Sequence, residues 1–173
     1  MKKSDGVEEH TPSIPGRAMP KLDIIDRRLL AALQEDDRLP LVELSKAIGA
    51  PASTINDRIK RLTRQGIIDG FYAHLSPEAL GLDLLAFMLV SWSDPTVEPE
   101  FLKKMRAAKE VLECHHITGA CNYLIKVRVP ATRNLEKFLS EVVKAVSGVE
   151  RTETLIVLST AKETCRLEPL ADR

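Results

Sequence analysis

The sequence predicts an α+β chain, with an N-terminal helix-turn-helix (winged-helix-like) domain followed by a ferredoxin-like βαββαβ sandwich domain. Three observations predict it. Between residues 22 and 66, apolar side chains recur at helical spacing in three short stretches, each ended by a glycine or a polar break. From residue 84 onward, strand-like and helix-like patterns alternate in the order βαββαβ. Between the two halves, "PEALGLD" joins two different compositions. The expected boundaries are a disordered leader at 1–20, the helix-turn-helix domain at 21–74, a hinge at 75–82 and the sandwich at 83–170.

The leader reads "MKKSDGVEEHTPSIPGRAMP", polar, punctuated by Pro12, Pro15 and Pro20, and without apolar periodicity. In "LDIIDRRLLAALQED", Asp23 is placed to cap a helix, Asp26 falls three residues later in its first turn, and Ile25, Leu29 and Leu33 form one stripe. "LVELSKAIG" suits a short second helix ended by Gly49. "PASTINDRIKRLTRQG" gives a third, with Pro51 near its start, Ile55, Ile59 and Leu62 on one side, and Gly66 as the stop.

The far side of the third helix has an unusual composition. It presents Ser53, Asn56, Asp57, Lys60 and Arg64, flanked by Thr54, Arg58 and Arg61. Four bases stand against one acid over 52–64, a net of about +3 in a chain whose formal charge is zero. Hydroxyls and amides near the N-terminus suit base edges in a major groove, and bases toward the C-terminus suit phosphates. The competing interpretation is a solvated face with a chance excess of arginine. Double-stranded DNA is the expected partner, through Ser53, Thr54, Asn56, Asp57, Arg58, Lys60, Arg61 and Arg64.

After Gly66, "IIDGFYAHLS" reads as a wing or a connecting strand. The second half then gives a strand at 84–93, a helix at 98–110, a strand in "VLECHHIT", a strand at 122–129, a helix in "TRNLEKFLSEVVKAV" and a closing strand in "RTETLIVLSTAKE". Two helices would cover one sheet face. The other, apolar, face would be covered by a second copy of the chain, predicting a homodimer.

The composition also excludes some classes. The apolar run "LLAFMLV" is too short to span a bilayer, and no apolar signal core opens the chain, so no membrane association is expected. Three cysteines without CxxC spacing argue for a reducing compartment, the cytoplasm. Cys114, His115, His116 and Cys121 invite a metal, but adjacent strand residues point to opposite faces, so no metal and no cofactor is expected. Tyr123 and Phe138 read as packing residues.

Taken in order, "LDIIDRRLL", "STI..RI.RL", "GII.G", "YAHLSPEALG", "ECHHITG", "YLIKVRV" and "GVERTETLIVL" resemble the Lrp/AsnC, or feast/famine, transcriptional regulators over roughly residues 22–170. The resemblance implies a sequence-specific regulator, not an enzyme, whose second domain senses an amino acid or related small metabolite and builds dimers, often a tetramer of dimers. It places the effector between dimers, beside the loop Gly119, Ala120, Cys121, Asn122 and Tyr123.

Several positions depart from the family pattern. Ala50 and Pro51 replace a common Leu-Ser before the recognition helix, and Asp57 stands where relatives carry a polar or basic residue. Asn122 and Ala131 replace common acids near the effector, which argues against a cationic ligand and for a neutral amino acid. Two alternatives remain from the sequence. One is an architectural DNA-binding protein without an effector. The other is an enzyme resembling siroheme decarboxylases, disfavoured because "ECHHITGACNY" supplies histidines but no arginine for a polyanionic substrate.

Overall fold

A computed structural model describes residues 21–169, and the leader expected at 1–20 lies outside them. The described chain divides into two compact units, one of residues 21–72 with 165–169, the other of 73–164.

The first unit holds helices α1 (Ile24–Glu35), α2 (Leu41–Ile48) and α3 (Ala52–Arg64). Asp23 caps α1 in a reciprocal box. Its Oδ1 accepts from the Asp26 backbone N–H at 2.8 Å, while Asp26 Oδ2 accepts from the Asp23 N–H at 3.2 Å. Helix α2 ends at Gly49, whose φ of 78° makes the left-handed turn into α3 that a side-chain-bearing residue resists. Leu29, Leu44, Ile48, Ala50, Ile55, Leu62 and Ile68 form the core, so the apolar stripe of α3 packs as its spacing predicts.

The β-like run after Gly66 forms no strand: residues 67–75 pair with nothing in a ladder among the described residues, and Phe71 and Tyr72 are exposed. A lone extended segment has no neighbour to satisfy its backbone groups, so propensity alone does not make it a strand. Residues 165–169, expected with the second domain, instead lie against α1. There Gln34 exchanges hydrogen bonds with the Leu167 backbone at 2.7 and 2.8 Å, and Arg166 pairs with Glu35 at 2.6 Å.

The second unit is a four-stranded antiparallel sheet with two helices on one face. The strands β1 (Leu84–Ser91), β2 (Val111–His116), β3 (Tyr123–Val129) and β4 (Arg151–Ile156) lie in the order β2-β3-β1-β4. With helices α4 (Glu98–Ala107) and α5 (Thr132–Phe138), this is the expected βαββαβ order. Ala86, Met88 and Val90 of β1 and Ile125, Val127 and Val129 of β3 share the core with Phe101 and Met105 of α4 and Leu135 and Phe138 of α5. The helix expected through 146 stays α-helical only to Phe138 and then widens into a π turn, Leu139–Val143. At that junction Ser140 Oγ donates to the carbonyls of Glu136 and Lys137, a side-chain bond that competes with the regular ladder.

The opposite sheet face mixes apolar and charged residues. Ladder partners share a face, so Leu85, Phe87 and Leu89 stand beside Arg128, Lys126 and Leu124, with Leu155 next to Phe87. The chain turns away after Ile156, and Glu163 returns to pair with both Lys126 and Arg128. Lys126 also holds Glu113 at 3.0 Å.

Candidate DNA-binding helix and effector loop

Helix α3 starts after Pro51 with no side-chain cap, so its first N–H groups have no partner within the helix. Arg61 and Arg64 occupy the last turn, where cations complement the helix dipole. Ser53, Asp57, Lys60 and Arg64 are exposed, and Thr54 and Asn56 are half-buried beside them. These six form one accessible polar face.

Arg58 and Arg61 do not join it. Arg58 Nη1 donates to Asp26 Oδ1 at 2.8 Å and to Asp23 Oδ2 at 2.6 Å, and Arg61 Nη2 donates to the same Asp26 oxygen at 2.5 Å. The Asp26 carboxylate is 1% exposed, and the arginine side chains 20% and 41%. The Asp26 backbone N–H and then Arg58 hold the Asp23 carboxyl below the usual carboxylate range. Helical spacing gives no sign of this arrangement, because the acids lie 32 to 35 residues before the arginines.

The loop from Gly119 to Tyr123 joins β2 to β3. Gly119 has φ of 117°, a conformation that only glycine adopts without strain. Ala120 is exposed and Cys121 half-buried. Asn122 Oδ1 accepts from the Trp92 backbone N–H at 2.9 Å, which fixes the side chain and leaves its amide N–H groups and one lone pair of Oδ1 for a ligand. Tyr123 is buried, stacked between Trp92 and His116, and its hydroxyl donates to Glu98 Oε1. Burial and then that hydrogen bond push the phenol upward in pKa.

Beside the loop, Trp92, Ser93, Pro95, Glu98, His116 and Asn122 line a cavity of about 240 Å³. Of these, the sequence singled out only His116 and Asn122. Trp92 and Glu98 come from the end of β1 and the start of α4, and no local pattern links them to the loop. The structure therefore supplies a carboxylate, Glu98, next to the position where Asn122 had removed one. Ala131 lies apart, as the residue preceding α5. Cys114 is half-buried, and desolvation pushes its thiol up to about 11, so it is a poor nucleophile.

Comparison with known proteins matches residues 22–69 to a winged helix-turn-helix DNA-binding model and residues 85–167 to the Lrp/AsnC ligand-binding domain. The proline dehydrogenase transcriptional activator of Rhizobium radiobacter is 41% identical over 145 residues, covering 83% of this chain and 93% of that protein. The chain belongs to the Lrp/AsnC family. Among solved Lrp/AsnC-type structures, Escherichia coli AsnC superposes with a TM-score of 0.82 at 30% identity, covering 87% of this chain and all of that one. A transcriptional regulator of Neisseria meningitidis in complex with L-methionine gives 0.81 at 32% identity, over 85% and 96% of the two chains. This Lrp/AsnC protein is thus a DNA-binding transcriptional regulator, with the two-domain architecture that its sequence predicts.

Proposed function

We propose that the chain binds double-stranded DNA sequence-specifically as a homodimer, or a tetramer of dimers, and responds to an amino acid with a neutral side chain. It works in the cytoplasm as a regulator and not as an enzyme. The observation that carries the DNA assignment is the exposed face of α3, where Ser53, Asn56, Lys60 and Arg64 lie on one side of a helix buried on the other. Lys60 and Arg64 meet phosphates, while Ser53 and Asn56 meet bases. Replacing Lys60 or Arg64 by Ala should flatten the salt dependence by about 0.9 per lost contact. Replacing Ser53 or Asn56 should change the preferred sequence, at about 1 to 3 kcal/mol per base contact. Unchanged affinity and preference in all four variants would overturn the assignment.

For the effector, the L-methionine bound by the Neisseria relative supports a neutral amino acid. In the cavity beside the loop, Glu98 is suited to the ligand's ammonium and the Asn122 amide to its carboxylate. Calorimetry across the proteinogenic amino acids tests it: binding of lysine or arginine alone refutes a neutral ligand, and binding of none favours an architectural role. Dimerisation is assigned to the sheet face of Phe87, Leu89, Leu124 and Leu155. A monomer of the full chain in sedimentation at micromolar concentration would refute that.

A further inference from the structure

Half of the positive charge on α3 is turned away from the face assigned to DNA. Arg58 and Arg61 converge on Asp26, whose two oxygens accept from the arginines and from the Asp23 backbone N–H. Asp23 adds a second acceptor for Arg58. Arg61 makes one such bond, from Nη2 to Asp26, where Arg58 makes two, and its Nε is buried with no hydrogen-bond partner among the described residues. Each arginine follows an exposed residue, Asp57 or Lys60, and so lies about 100° further round the helix, where a long guanidinium side chain can reach either side.

We infer that Asp23 and Asp26 are specificity-determining residues that act by withholding Arg58 and Arg61 from the DNA backbone. The proposal rests on the assignment of α3 to DNA. A phosphate contact strengthens binding to every sequence equally, whereas only base contacts discriminate. With four free cations, α3 would hold any duplex tightly and the ratio of specific to non-specific affinity would fall. Pairing two of them with the α1 cap leaves Lys60 and Arg64 for phosphates. The same ion pairs fix α3 against α1, so charge and orientation are set together.

The test measures binding of the full chain to a random-sequence duplex, and to a duplex selected from a random library, by fluorescence anisotropy across a salt series. In Asp26→Asn, non-specific affinity should rise by up to about eightfold per freed arginine at 0.1 M salt, and the log–log salt slope should steepen by about 0.9 for each. Selected-site preference should fall accordingly. Adding Arg58→Gln and Arg61→Gln to Asp26→Asn should restore the original slope. A purely structural role predicts the opposite, with affinity for both duplexes falling together. Should Asp26→Asn lose its helical circular dichroism, Asp23→Asn carries the test. Asparagine caps helices as well as aspartate does, and the site is half-exposed, so this variant folds while Arg58 loses one of its two carboxylate partners. Its non-specific affinity should rise by about twofold to eightfold. A folded Asp23→Asn with unchanged or weaker non-specific binding overturns the inference. If Lys60→Ala still flattens the slope in that case, the assignment of α3 to DNA survives and only the inference falls.

Discussion

Replacing Ile55 by Ala should unfold the helical unit and leave the sheet unit standing. Ile55 is completely buried among Leu29, Leu44, Ile48, Leu62 and Ile68 and is the side chain that seats the N-terminal half of α3. Truncating a buried isoleucine costs about 2 to 5 kcal/mol. A unit of roughly 50 residues holds only about 2.5 to 7.5 kcal/mol in total, at ~0.05–0.15 kcal/mol per residue. One truncation therefore removes most or all of its stability. The sheet unit has its own core, including Met88, Phe101, Ile125 and Val143, none of which is in the cluster around Ile55. The two can be followed separately in one urea titration. The protein's single tryptophan, Trp92, is buried in the sheet unit, so its fluorescence reports that unit alone. Circular dichroism at 222 nm reports chiefly α1, α2 and α3, which hold most of the helix among the described residues. With an m-value of about 1 kcal/mol/M, the dichroism midpoint should fall by about 2 M or the transition vanish, while the fluorescence midpoint stays fixed. Ile55→Val, at about 0.5 to 1.5 kcal/mol, should give a small shift of the same kind. Equal shifts of both probes would refute the separation of the cores, because the chain would then unfold as one cooperative body.

Gly119→Ala should lower the urea midpoint seen by Trp92 fluorescence, since a side chain at φ of 117° costs about 1 to 3 kcal/mol even though the added methyl would touch nothing within 4 Å. An unchanged midpoint would mean that the loop relaxes to another conformation. Acid should weaken the sheet unit. The Lys126 hydrogen bond lowers the pKa of Glu163, and at Glu113 burial acts upward but the bonds from Lys126 and His115 outweigh it, so this group is lowered too. A carboxylate lowered by folding stabilises fully above its ordinary value of 4.5, and that contribution is lost as pH falls through the folded value. The Trp92 urea midpoint should therefore drop below about pH 4.5, and less steeply in Glu163→Gln. Parallel pH profiles for the two proteins would exclude a role for Glu163.

The sequence by itself determined what depends on neighbours within a turn or two of helix or within one strand. The three N-terminal helices follow from 3.6-residue periodicity, the Asp23–Asp26 cap from a spacing of three, the turn at Gly49 from glycine's freedom at positive φ, and βαββαβ from alternation between two periods. The apolar side of α3 was legible for the same reason. What the tertiary structure decided lies in contacts between residues far apart in the chain. Arg58 and Arg61 belong to the same basic helix as Lys60 and Arg64, yet only packing against α1 brings them to a buried carboxylate. Asn122 looks free in the sequence until β1 ends beside it and the Trp92 N–H takes its oxygen. Glu98 reaches Tyr123 across 25 residues, and Glu163 reaches Lys126 across 37. Such pairs leave no periodic trace, because hydrogen bonds and ion pairs form wherever folding places complementary groups, and that placement is fixed by the cores and not by local spacing.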